Sequence, residues 1–252
     1  MAVLGVKDNT LPQISLTQSQ TFVMPQDGNV CIHVIGAGGS GTSNTGQAFS
    51  GAAGGYCKKN SLAVTKGGSF TVVVGVGGPR GSGTSDGGNS TVAGPGLSAT
   101  LTANGGDGGK SSGNAGGTAA NGDVNNTGGV GLTGDRGGGG AVGIYGTGAA
   151  GIQYKQGGDS DAQGGESGFG HIAGGGKGGT HMQNNLIVTA RGLDGGFLAG
   201  GGQGQGGASD CPTIGGNGGS GGGGGSTQAT TQSAALGGKG GDGLVLIQYL
   251  PS

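Results

Sequence analysis

The stretch "NVCIHVIGAGGSG", residues 29–41, decides how this sequence is read. A run of strand-forming residues, Val30 to Ile35, passes straight into glycines at Gly36, Gly38 and Gly41. That spacing satisfies G-x-G-x-x-G, the fingerprint of a dinucleotide-binding turn. Such a turn must open a helix and be followed, about 20 positions on, by an acidic residue for the ribose. After Gly41 the chain runs "TSNTGQAFSGAAGGYCKKN" (42–60), which has breakers and no helical period, and no Asp or Glu occurs between Val30 and Ser85. The glycines therefore read as a strand running into an extended glycine segment.

Composition extends that reading to the whole chain. Of 252 residues 75 are glycine, none is tryptophan and only 31% are hydrophobic. Ordinary glycine usage is about 7%, so the enrichment is a structural statement. A chain so poor in large apolar side chains cannot build one conventional core over its full length. It is either a flexible low-complexity chain or an architecture made for glycine.

The distribution separates the two. Strand-like segments crowd the first hundred residues: 13–17, 21–24, 29–35, 61–65, 70–74, 89–93 and 97–103, with one more, "GLVLIQYL", at 243–250. Short strands without an amphipathic helix between them predict a small antiparallel β-sandwich. Between 104 and 243 lie 54 glycines (75 less the 21 before residue 104), in clusters such as "GGDGG" 105–109, "GGGKGG" 174–179 and "GGKGGDG" 237–243. Glycine-poor loops alternate with the clusters, notably 118–127, 141–156, 180–191, 208–214 and 226–236. A tether would be Gly/Ser-rich throughout and would not carry apolar loops at intervals.

Ordered glycine runs need a reason. A polyproline II-type helix has three residues per turn and no internal hydrogen bonds, so its N–H and C=O groups need partners on neighbouring chains. Only glycine lets backbones approach closely on all sides. Collagen is excluded, because six prolines cannot supply its triplets. The expected fold is mainly β plus irregular: an antiparallel β-sandwich from 1–103 closed by the C-terminal strand at 243–252. Into it is inserted, over 104–242, a bundle of stacked polyglycine II helices with projecting loops.

Several functions find no footing. Eleven Lys+Arg against twelve Asp+Glu leave a net charge of -1 with no basic block, against a nucleic-acid partner. No stretch approaches 18 continuous apolar residues, against membrane insertion. The N-terminus "MAVLGVKDNTLPQ" lacks a secretion signal. Cys31, Cys57 and Cys211 have no metal-ligand spacing; a Cys31–Cys57 bridge stays open, although a chain made in a reducing compartment favours free thiols. His33, His171 and His181 form no zinc pattern. The glycine-flanked Asp residues, as in "GGDGGKSSG", lack the repeat period of calcium-binding nonapeptides. Neither G-x-S-x-G match, at 38–42 or 165–169, follows a strand and opens a helix. The chain reads as a non-enzyme without cofactors or metal.

Recognition by loop tips remains. Loop 141–156 carries Ile144, Tyr145, Ile152 and Tyr154, and loop 180–191 carries His181, Met182, Leu186 and Ile187. Two of the four tyrosines thus share one loop, and exposed tyrosine gives large contact area at low entropy cost. The same residues could instead plug the ends of the glycine bundle.

The order "TFVMPQDGNVCIHVIGAGGSG", "GAAGGYCKKNSLAVTKGGSFTVVVGVGG" and the closing "GGKGGDGLVLIQY" resembles the glycine-rich domains of bacteriophage tail-fibre and tail-tip proteins. The alternation over 104–243 is similar to the polyglycine II receptor-binding adhesin at the tip of T-even-type long tail fibres. One departure is the absence of tryptophan, which that adhesin's attachment domain carries. The resemblance implies a virion protein at a tail-fibre tip, made in the host cytoplasm. Its partners would be the fibre shaft or another tail protein on one side, and a bacterial outer-membrane protein or surface glycan on the other. A structural fibre or decoration protein without receptor contact is the alternative. Ice binding, which needs a flat regular face, fits the long irregular loops poorly.

Overall fold

A computed structural model describes residues 13–44, 49–81, 84–111, 113–132, 138–139, 146–151, 194–195, 204–205, 214–228 and 236–251. Its strands are β1 (Gln13–Leu16), β2 (Gln20–Val23), β3 (Gly28–Ile35), β4 (Ser43–Asn44), β5 (Tyr56–Val64), β6 (Ser69–Val73) and β7 (Ser90–Ala93). They continue with β8 (Leu101–Ala103), β9 (Ala119–Ala120), β10 (Val124–Asn126), β11 (Gly204–Gln205), β12 (Thr227–Gln228) and β13 (Leu244–Tyr249). No helix occurs among the described residues. The expected all-β architecture is present, with two antiparallel sheets.

One sheet has the order β1-β13-β3-β5-β10 and the other β2-β6-β7-β8-β9. Alternation along the strands fixes which face is buried: β6 reads exposed-buried-exposed-buried-exposed, so Phe70 and Val72 point inward. They meet Val30, Ile32 and Val34 of β3, Val245 and Ile247 of β13, and Val92 and Leu101 of the second sheet. Each such side chain contributes roughly 1.5–3 kcal/mol when fully buried. Val30, Ile32 and Val34 have no exposed surface. The outward residues of β3, namely Cys31, His33 and Ile35, are buried as well, and Ile35 joins Tyr56 and Leu244 in a second, smaller cluster.

The turn from β9 to β10 carries the chain from one sheet to the other. Asn121 takes the left-handed conformation there, at φ 68°, which asparagine tolerates better than most residues. A Cβ on the following Gly122 would press on Cys57 Sγ and the Lys58 carbonyl.

Beyond Ile35 the chain stays extended but leaves the sheet, and its N–H groups serve three neighbours in rotation. Gly36, Gly39 and Thr42 donate to the carbonyls of Gly55, Ala52 and Phe49 at 2.8–2.9 Å. Ala37 and Ser40 donate to Gly88 and Ser85, and Gly38 and Gly41 to Gly241 and Gly238. The carbonyls of the same segment accept from three further segments. Ala37 and Ser40 take Gly106 and Gly109, Gly39 and Thr42 take Gly224 and Thr227, and Gly38 takes Gly78. Segment 36–42 is thus ringed by 49–55, 104–109, 85–89, 74–78, 236–243 and 221–226.

Segment 49–55 repeats the rule. Ser50 and Ala53 donate to Leu132 and Gly129, Gly51 and Gly54 to Gly224 and Gly221, and Ala52 and Gly55 to Asp107 and Asn104. A sheet strand would serve two neighbours and a helix only itself; three in rotation means a repeat of three residues. Contact is too close for side chains. A Cβ on Gly38 would collide with the Gly222 carbonyl, and one on Gly39 with that of Asp107. Glycine segments on both sides of residue 104 take part.

Of the expected strands, "SLAVT" is the end of a longer β5 that begins at Tyr56. "LSATLTA" shrinks to β8 because the turn at Pro95 and Gly96, the latter at φ 79°, precedes it. Cys31 and Cys57 are free thiols: Cys57 faces the core between the sheets, and Cys31 the opposite side. Cys211 lies outside the described residues.

Candidate functional site

The sandwich sits at one end of the glycine segments. Segment 36–42 leaves β3 and 49–55 returns to β5, so Thr42, β4 and Phe49 mark the far end. Thr42 N–H and its hydroxyl both reach the Phe49 carbonyl, at 2.8 and 3.3 Å. A small parallel sheet, β11-β12-β4, lies at this end, as do the Ile214–Leu236 bridge and the bond from Gly237 N–H to the Gly81 carbonyl.

One side of the far end carries an open groove of about 650 Å³, lined by Asp107, Lys110, Gly113, Asn114, Ala115, Val130, Gly131 and Leu132. Its floor is fixed by hydrogen bonds. Buried Asn114 donates from Nδ2 to the Ser50 carbonyl at 2.8 Å and accepts Lys110 N–H at 2.6 Å. Ser50 Oγ accepts Leu132 N–H at 2.9 Å and donates to its carbonyl at 3.3 Å. The rim holds an ammonium between two carboxylates: Lys110 Nζ is 3.0 Å from Asp86 and 3.6 Å from Asp107. Gly108 N–H first, then Lys110, hold the Asp86 carboxyl below its ordinary range. Val130 is 43% exposed. The groove therefore offers charges of both signs beside exposed apolar surface.

None of the eight loop-tip residues falls within the described structure. Ile144, Tyr145, Ile152, Tyr154, His181, Met182, Leu186 and Ile187 all lie outside it, as does His171. Of loop 141–156, residues 146–151 are described; Gly148 N–H donates to the Thr127 carbonyl at 3.3 Å, just beyond β10.

The one described histidine belongs to the sandwich. His33 Nδ1 is 2.7 Å from the Tyr56 hydroxyl, and Nε2 is 3.3 Å from Cys31 Sγ. Burial, helped by the Lys58 charge, pushes the imidazole down to about 4. Burial likewise pushes the Cys31 thiol and the Tyr56 hydroxyl up. At neutral pH the three are an uncharged, mutually bonded group. A thiol that resists ionisation is not an activated nucleophile. Among the described residues no group of His, Cys, Asp and Glu could hold a metal ion, and no helix is long and apolar enough to cross a membrane.

The sequence reading missed a set of polar side chains along the glycine segments. Asp86, Asn89, Asp107, Asn217 and Asp242 each accept a main-chain N–H from a neighbouring segment. Their signal is a polar residue at every third place, as in "GGDGGK" (105–110) and "GGKGGDG" (237–243).

A β-sandwich continued by laterally bonded glycine segments defines a glycine-rich scaffold. The chain belongs to the glycine-rich domain family, whose model matches residues 15–250. No curated protein matches it.

Proposed function

We propose that this chain is a phage tail-fibre tip adhesin, a receptor-binding protein of the virion that recognises a bacterial surface molecule. Its glycine segments would be polyglycine II helices, packed as a bundle, that hold the recognition loops rigidly. The observation that carries the reading is the rotation of donors along 36–42 among three neighbours, the three-residue repeat of that helix type. The place of β13 between β1 and β3 supports a sandwich closed by the C-terminal strand. A platform bonded on every side keeps its loops preorganised, so less entropy is lost on binding.

In this arrangement the sandwich faces the fibre shaft or another tail protein. The far end, with the Lys110–Asp86 groove, faces an outer-membrane protein or a glycan, and the residues of loops 141–156 and 180–191 are the candidate recognition loops. The test is adsorption competition with the purified protein. It should coat host cells and slow phage attachment; failure to do either overturns the reading. Exchanging loop 141–156 or 180–191 should then change host range. A change in assembly alone would assign the chain to the virion's structure and not to its receptor.

A further inference from the structure

We infer that the perimeter of the glycine bundle is a surface fit for another glycine-rich chain, and that five side chains hold it closed against a second copy of this protein. Inside the bundle every donating N–H described for 36–42 finds a main-chain carbonyl. Between perimeter segments this holds in one direction only. Gly87 N–H donates to the Gly106 carbonyl, but Gly105 and Gly108, which face back, donate to Asn89 Oδ1 at 2.9 Å and Asp86 Oδ1 at 2.8 Å. Gly240 and Gly243 donate to the Gly78 and Gly75 carbonyls, while Gly77 in return takes Asp242 Oδ1 at 2.8 Å.

The same exchange recurs twice more. Asp107 N–H donates to the Ala115 carbonyl and Ala115 N–H returns to Asp107 Oδ2 at 3.1 Å. Gly218 donates to the Lys239 carbonyl and Lys239 N–H returns to Asn217 Oδ1 at 3.0 Å. Each returning N–H is one that, deeper in the bundle, a further glycine segment would receive. Open rows of N–H groups recruit matching chains, which is why natural sheets blunt their edges with charge. Here the blunting groups are short carboxylates and amides that both occupy the donor and project polar bulk. The chain able to fill the perimeter is abundant in solution, because every copy carries such segments. Asp86 and Asp242 also bring charge to the rim, beside Lys110 and Lys239.

The test compares the parent with two variants: D86A/N89A/N217A/D242A, which uncovers the donors, and D86N/D242N, which keeps acceptors while removing the same charges. Sedimentation equilibrium should show self-association strengthened about tenfold or more in the first variant and unchanged in the second. Parent-like sedimentation of the first variant, with faster amide exchange at Gly77, Gly105 and Gly108 proving the donors uncovered, would overturn the inference. So would equal association of both variants, which assigns the effect to charge. Asn89→Ala alone, which alters no charge and uncovers only Gly105, is read in parallel. Association there supports the inference, and an uncovered but monomeric Asn89→Ala counts against it should the quadruple variant not fold.

Discussion

At the scale of single residues, glycine is chosen here for the absence of a Cβ. Gly39 lies where a Cβ would overlap the Asp107 carbonyl, and Asp107 in turn accepts Ala52 N–H within the same ring. Gly39→Val should cost about 3 kcal/mol or more through forced separation of backbones, read as a lowered denaturant midpoint. Ala37, whose methyl is accommodated with no exposure, should tolerate Ala37→Gly for roughly 1 kcal/mol. His33 sets a pH dependence. Its imidazole titrates near 4 in the fold against 6.5 in the unfolded chain, so the unfolded state takes the proton first. Stability should be flat above pH 6.5 and fall as pH drops towards 4, by up to about 3 kcal/mol. The groups facing His33 are Cys31 and Tyr56, both neutral, and Lys58, which adds to the effect. Urea titrations at pH 7 and 5 should differ for the parent and much less for His33→Gln.

Among elements, β3 and β13 were legible because their residues are apolar on both faces. Val30, Ile32 and Val34 fill the main core, while Ile35 and Leu244 fill the second. The start of β5 was hidden, since "YCKKN" shows two lysines, both half-buried, in place of strand-forming apolar residues. The glycines after Ile35 were readable as an extended continuation of the strand and not a dinucleotide turn, because breakers follow Gly41. The neighbours of each segment were not, because partners lie far apart in sequence: Gly77 and Asp242 are 165 residues apart. The capping carboxylates were invisible for the same reason; beside glycine each looks like an ordinary turn residue. Rotation among neighbours predicts that exchange protection in 36–42 shows no two-residue alternation. All seven N–H groups from Gly36 to Thr42 have partners, so hydrogen–deuterium exchange should find each as slow as global unfolding. Protection at alternate residues only would show a plain strand instead.

For the whole molecule, the first sheet and the laterally bonded glycine segments share one distant stretch. Residues 236–243 donate to 74–78 and 221–226 and accept from 36–42, and β13 continues them as an inner strand of the first sheet. Removing residues 236–252 should therefore abolish both parts together, with loss of near-ultraviolet ellipticity and of solubility, and not trim one end. For the candidate recognition loops the proposed function sets a different expectation. Substituting Tyr145 and Tyr154 with Ser should leave the unfolding midpoint within about 0.5 kcal/mol while reducing adsorption to host cells. A large stability loss would instead assign these tyrosines to plugging the bundle.

The position of β13 also sets a timetable for biosynthesis. Its neighbours β1 and β3 are translated more than two hundred residues earlier, and Leu244 must slot beside Ile35 before either edge is satisfied. Until the ribosome has released that stretch, the nascent chain holds a gap in its first sheet and an open seat beside its central glycine segment. Closure of the first sheet around β13 therefore comes late, and a helper that shields the waiting edges of β1 and β3 during elongation should raise the yield more than one acting afterwards.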